Sequence, residues 1–155
     1  MNSKLASFAV GRRTIALALF SGQELECFEI RSLPNDKTRA KSAAAAFVQK
    51  PFDAFQFGTA ALESEPDSSR REDLREVIHD TLREQGIPIL EASESQLFAA
   101  FRNPSITLRG DLRKAICSIF PLLSEHKNKL QLLDAVALGL HLTTERILAI
   151  NNHNE

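Results

Sequence analysis

The feature that most constrains this chain is a change of period. From Leu5 to Ser32 apolar residues alternate or form short runs. After Leu33 a helical pattern takes over. The stretch LASFAVGRRTIALALF gives two strands, Leu5–Val10 and Thr14–Phe20, joined at Gly11-Arg12-Arg13. Glycine can take φ > 0 there, and two arginines suit an exposed turn. Ser21-Gly22 marks a second turn, and Leu25, Cys27, Phe28 and Ile30 alternate well enough for a third strand, Glu24–Ser32. Three strands with tight connections form an antiparallel meander.

Pro34-Asn35-Asp36 then starts a helix that alanines carry to about Lys50. Phe55 and Phe57 flank Gln56, which predicts a fourth strand over Ala54–Gly58. The polar run LESEPDSSRRED reads as a loop leading into a helix from Ser69 to Gly86, with an apolar stripe of Leu74, Val77, Ile78 and Leu82. A fifth strand is expected at Ile87–Leu90, and a capped helix begins at Ser93 or Ser95 and breaks at Asn103-Pro104. Helices over Gly110–Phe120 and Lys127–Leu148 follow, then a polar tail, 151–155. The order βββ-α-β-α-β-α-α-α predicts an α/β fold: a mixed sheet, three antiparallel strands then parallel ones, flanked by helices. At 155 residues one domain, 1–150, is expected.

Composition removes several classes of function. The apolar share is 43%, the charged share 25% and the net charge −1, so no global charge advertises nucleic acid or membrane. Tyr and Trp are absent while Phe occurs ten times, which favours the core over binding surfaces. Cys27 and Cys117 lie in apolar surroundings and read as buried free thiols; nothing supports a disulfide, and no Cys/His spacing suits zinc. No apolar run reaches membrane-spanning length and the N-terminus lacks a signal pattern, so a cytoplasmic protein without membrane contact is expected.

Three segments in chain order carry a resemblance: FAVGRRTIALALF, FDAFQFGTA and LLDAVALGLHL. Together they resemble the ribonuclease H-like fold, and more narrowly its RuvC-type branch of Holliday-junction resolvases and YqgF-like relatives. That resemblance implies two divalent cations held by carboxylates: an aspartate before the hairpin glycine, a glutamate ending the fourth strand, and acids on the last helix. The metals would activate water and stabilise the leaving oxygen. Here the first acid falls on Ala9 (Val10 with a shorter turn) and the second on Gly58. Asp134 matches a helix acid, and the position three residues earlier holds Gln131. Asp134 is thus the single catalytic-type residue that survives the matching. No metal or other cofactor is expected, because neutral side chains replace bridging carboxylates poorly.

Three functional readings stay open at this point. The first is a catalytically inactive RuvC-like domain that binds branched DNA or RNA weakly, or a protein. The second is an active nuclease with a displaced site using Asp134 with Glu63 or Glu65. The third is a protein-interaction or dimerisation domain, homodimer included, suggested by the apolar helix Leu130–Leu142 and by Leu97, Phe98 and Phe101.

Each singled-out residue also has a plainer reading. Gln131, Asp134, His141 and Glu145 form a rough solvent-facing stripe. Arg12-Arg13, Arg70-Arg71 and Arg109, Arg113 and Lys114 are either a phosphate track or ordinary solvated cations. His79-Asp80 reads as a surface pair, and Ser118 or Ser124 with His126 lacks the orienting acid of a triad.

Overall fold

The computed structural model describes residues 4–64, 69–101 and 109–153. Its five strands are β1 (Lys4–Val10), β2 (Thr14–Ser21), β3 (Glu24–Ser32), β4 (Thr59–Glu63) and β5 (Ile89–Ala92). The helices are α1 (Lys37–Phe55), α2 (Ser69–Glu84), α3 (Glu94–Ala100), α4 (Arg109–Ile119) and α5 (Leu130–His153), with a short 3-10 helix at Pro121–His126. The sheet order is β3-β2-β1-β4-β5. The first three strands pair antiparallel, and β4 and β5 join in parallel beyond β1. This is the mixed sheet the sequence predicts.

Both faces of the central strands are covered, and the alternation in IALAL decides which side chain goes where. Ile15, Leu17 and Leu19 pack with Ala6, Phe8 and Leu62 beneath α1 and α2. Ala16, Ala18 and Phe20 face α5 together with Ala9, Ala61 and Ala92. Small residues on that face let a helix come close. Gly139 completes the approach: a Cβ there would fall 2.4 Å from Phe20 Cε2 and 3.0 Å from Ser7 Cβ.

Strand four departs from expectation. The segment predicted as a strand, Ala54–Gly58, is instead the last two residues of α1, which continues through the buried Pro51 to Phe55, and the link from it to β4. Proline removes one helical hydrogen bond, and burial offsets it. Phe52 packs edge-to-face on Phe57, with ring centroids 5.7 Å apart. The helix stops at Gln56, in the left-handed conformation with φ 49°, whose N–H donates to Phe52 O. The alternation of Phe55, Gln56 and Phe57 is therefore a helix end, and β4 begins at Thr59. β5 likewise sits two residues later than predicted. The helix expected from Lys127 starts at Leu130 and runs to His153, through the first residues of the expected tail. Ser93 is the N-cap of α3, closing a capping box with Gln96.

The apolar length of α5 is accounted for within the fold, since Leu132, Leu133, Val136, Leu138 and Leu142 are buried against the sheet. Leu97 is core as well. Among the described residues no helix is long and apolar enough to cross a membrane.

Candidate functional site at the carboxyl ends of β1 and β4

The last residue of β1 that faces α5 is Ala9, 8% exposed. Beyond it the chain turns, with Gly11 N–H donating to Thr14 O at 2.8 Å. Gln131, in the first turn of α5, lies on this turn. Thr14 Oγ1 donates to Gln131 Oε1 at 2.7 Å. A Cβ on Gly11 would fall 2.5 Å from Gln131 Cδ. Glycine leaves room here for the Gln131 side chain and does not take the positive φ expected from sequence; among the described glycines that conformation belongs to Gly22 and Gly86.

α5 runs antiparallel to β1, since Gln131 meets Gly11 and Gly139 meets Ser7. With rises of about 1.5 Å per helical residue and about 3.3 Å per strand residue, Asp134 is about level with Ala9. β4 brings a second acid to the same level. Its Leu62 pairs with Phe8, so Glu63 lies beside Ala9, on the face of Ala61 that looks toward α5. Gly58, matched by sequence to the glutamate, is at the other end. Its N–H donates to Lys4 O at 3.1 Å, about 16 Å along β1 from Ala9. The residue that ends the fourth strand is Glu63, and the shifted strand boundary is why the matching missed it. Glu65 and the side chains of Phe98 and Arg109 lie outside the described residues.

Asp134 is held by Arg113 of α4. Arg113 Nε donates to Asp134 Oδ1 at 3.0 Å and Nη2 to Oδ2 at 2.9 Å, a two-point ion pair with side-chain exposures of 21% and 11%. Forked pairing of this kind gives both strength and orientation. The solvent-facing stripe is thereby corrected: Gln131 and Asp134 are half-buried and engaged, and His141 is buried, with Nε2 3.7 Å from Glu145 Oε1. No sequence signal announced the pairing, because its partners are 21 residues apart on different helices.

This donor set does not suit a pair of divalent cations. Hard ions need several anionic oxygens, and a bridging carboxylate is the hardest to replace. Ala9 offers none, Gln131 spends its carbonyl oxygen on Thr14, and Asp134 already faces a guanidinium, which leaves Glu63 as the remaining acid at this level. Among the described residues no three His, Cys, Asp or Glu side chains gather as a metal-holding group.

The basic residues divide by role. Arg70 donates to Arg12 O at 2.7 Å, Pro34 O at 2.9 Å and Asn35 O at 3.3 Å, tying the β1–β2 turn to the β3–α1 loop. It is a structural clamp, so the phosphate track read from sequence loses Arg70. Arg12 and Arg13 are exposed at the turn. Ser118 and Ser124 hydroxyls donate to backbone oxygens, and His126 packs on Phe28 at 5.2 Å; the three do not assemble. His79 and Asp80 sit half-buried and exposed on α2. Both cysteines are free thiols, partly rather than fully buried.

By sequence, no family model and no curated protein matches the chain. By structure the likeness is extensive. Thermus thermophilus RuvC superposes with a TM-score of 0.73 at 14% identity, over 93% of this chain and 96% of that one. The yeast mitochondrial Holliday junction resolvase gives 0.64 at 11% identity, over 98% and 83%. The fowlpox virus resolvase gives 0.57 at 15% identity, over 95% and 98%. The chain therefore has a RuvC-like, ribonuclease H-like fold.

Proposed function

We propose that this chain is a RuvC-like domain that recognises branched nucleic acid without cutting it. The observation that carries the reading is Ala9, standing at the level of Asp134 and Glu63 where the resemblance calls for an aspartate. The pairing of Asp134 with Arg113 supports it further, because the carboxylate is already neutralised. Branched DNA is the ligand to test. The structural neighbours include a T. thermophilus RuvC in complex with a Holliday junction substrate and a fowlpox virus resolvase with substrate junction DNA. With net charge −1, binding is expected to be weak and strongly salt-dependent.

The test is a gel-shift series comparing a four-way junction with linear duplex at rising salt, beside incubations with magnesium, manganese or chelator. A preference for the junction with no cleavage is expected. Cleavage with either metal would overturn the loss of catalysis. Equal binding of junction and duplex would overturn the recognition of branching.

A second reading, a contact with another copy of the chain, has its own observation. Leu122 is 80% exposed, Ile119 49% and Leu130 42%, all near the 3-10 helix between α4 and α5. Sedimentation of the wild type and Leu122→Glu tests it: a dimer that dissociates in the variant is the expected sign, and a monomeric wild type ends this reading.

A further inference from the structure

We infer that Arg113 is a phosphate-recognising residue, presenting one guanidinium nitrogen to a phosphodiester while Asp134 holds the other two. This rests on the nucleic-acid reading above and names the contact within it. A guanidinium carries donors on three nitrogens in a rigid plane. Nε and Nη2 are spent on Asp134. Nη1 has no hydrogen-bond partner among the described residues, yet it is not one of the buried polar atoms left unsatisfied. It therefore keeps some access to solvent, on a side chain 21% exposed. The carboxylate fixes the fork before any anion arrives, which lowers the ordering cost of binding.

Charge counting points the same way. A cluster of several carboxylates repels a phosphodiester until metal ions neutralise it. In this chain Ala9 and Gln131 contribute no charge, and of the two carboxylates at this level, Asp134 and Glu63, Arg113 cancels that of Asp134. An anion therefore meets less negative charge here than at a full carboxylate cluster. Exposed Arg12 and Arg13 stand on the turn that touches Gln131, one helical turn from Asp134. Two further cations thus lie at the same end of the sheet.

The experiment follows the Arg113 Nε–Hε correlation by nitrogen-15 NMR, assigned by its loss in Arg113→Lys. The protein is titrated with dimethyl phosphate and, separately, with a four-way junction. Both ligands are expected to shift this signal. In the paired variant Arg113→Gln/Asp134→Asn, which keeps the net charge, junction affinity should fall about tenfold, the size of one lost charge-assisted hydrogen bond. The salt slope should fall by about one. Arg83→Gln, in the last turn of α2, should leave the Arg113 signal responsive. An Arg113 signal that junction and dimethyl phosphate both leave unmoved, while the junction binds, overturns the inference and leaves the nucleic-acid reading standing. If the junction does not bind at all, the nucleic-acid reading falls. The dimethyl phosphate titration then decides Arg113 alone, a shift upholding the anion site and no shift ending it.

Discussion

Gly139 shows how a single missing side chain sets the distance between layers. Phe20 is fully buried, and its ring occupies the space a Cβ on Gly139 would need, at 2.4 Å and 2.7 Å from two ring carbons. The ring also packs edge-to-face on Phe120, with centroids 6.2 Å apart, so moving it would disturb a second contact. Gly139→Ala should therefore destabilise by about 1–3 kcal/mol through overpacking, despite alanine's better helix propensity. Urea denaturation would read this as a lower midpoint; an unchanged or raised midpoint would show that Phe20 yields freely.

Cys27 makes a second statement at the residue scale. Burial pushes its thiol pKa up, and neighbouring Glu26 adds to the effect. A raised pKa means less thiolate at neutral pH. Alkylation by iodoacetamide at pH 7 should be slower than for a free cysteine and should accelerate as the pH is raised through the alkaline range. Fast alkylation at pH 7 would contradict this assignment.

Among elements, the β1–β2 turn and the β3–α1 loop are joined by one side chain, Arg70, at the start of α2. Three backbone oxygens accept from it, and Leu33 N–H donates to Arg13 O at 2.7 Å between the same two loops. Hydrogen bonds from a charged donor are individually strong, but these are solvent-exposed and must be discounted. Arg70→Met should cost about 1 kcal/mol in global stability. Its clearer effect should be local: faster amide exchange at Leu33 than in wild type. If exchange there is unchanged, the backbone bond alone suffices. The misplaced fourth strand also belongs to this scale. A proline at position 51 and alternating phenylalanines argue locally for ending the helix and starting a strand. The chain resolves the competition by burying Pro51 and packing Phe52 on Phe57. Only the layer above the sheet supplies those partners.

For the whole molecule, the arrangement of charge predicts indifference to divalent ions. Melting curves of the wild type with millimolar magnesium, manganese or chelator should coincide. A metal-dependent rise would reveal a working site. Ala9→Asp with Gln131→Asp adds two carboxylates at positions beside Glu63 and one helical turn from Asp134. Without metal, repulsion should lower the melting temperature of this variant. With an ion at about a hundred times its dissociation constant, linkage returns about 2.7 kcal/mol, or several degrees in a domain of this size. A folded variant that shows no rise would mean these positions do not converge as the register of β1, β4 and α5 implies.

What the sequence determined by itself was the meander, the mixed sheet and a neutral residue, Ala9, near the end of the first strand. These follow from short-range patterns: alternation with period two, glycine-marked turns, and the identity of one residue at a strand end. Tertiary structure decided where β4 begins, and hence that Glu63 rather than Gly58 stands beside Ala9. It also decided that Gly11 makes room for Gln131, that Arg70 serves as a clamp, and that Asp134 is paired with Arg113. Each of these depends on atoms brought together from separate elements by the burial of both faces of the sheet. A local pattern carries no record of such partners, because the free energy that selects them arises only when the layers close.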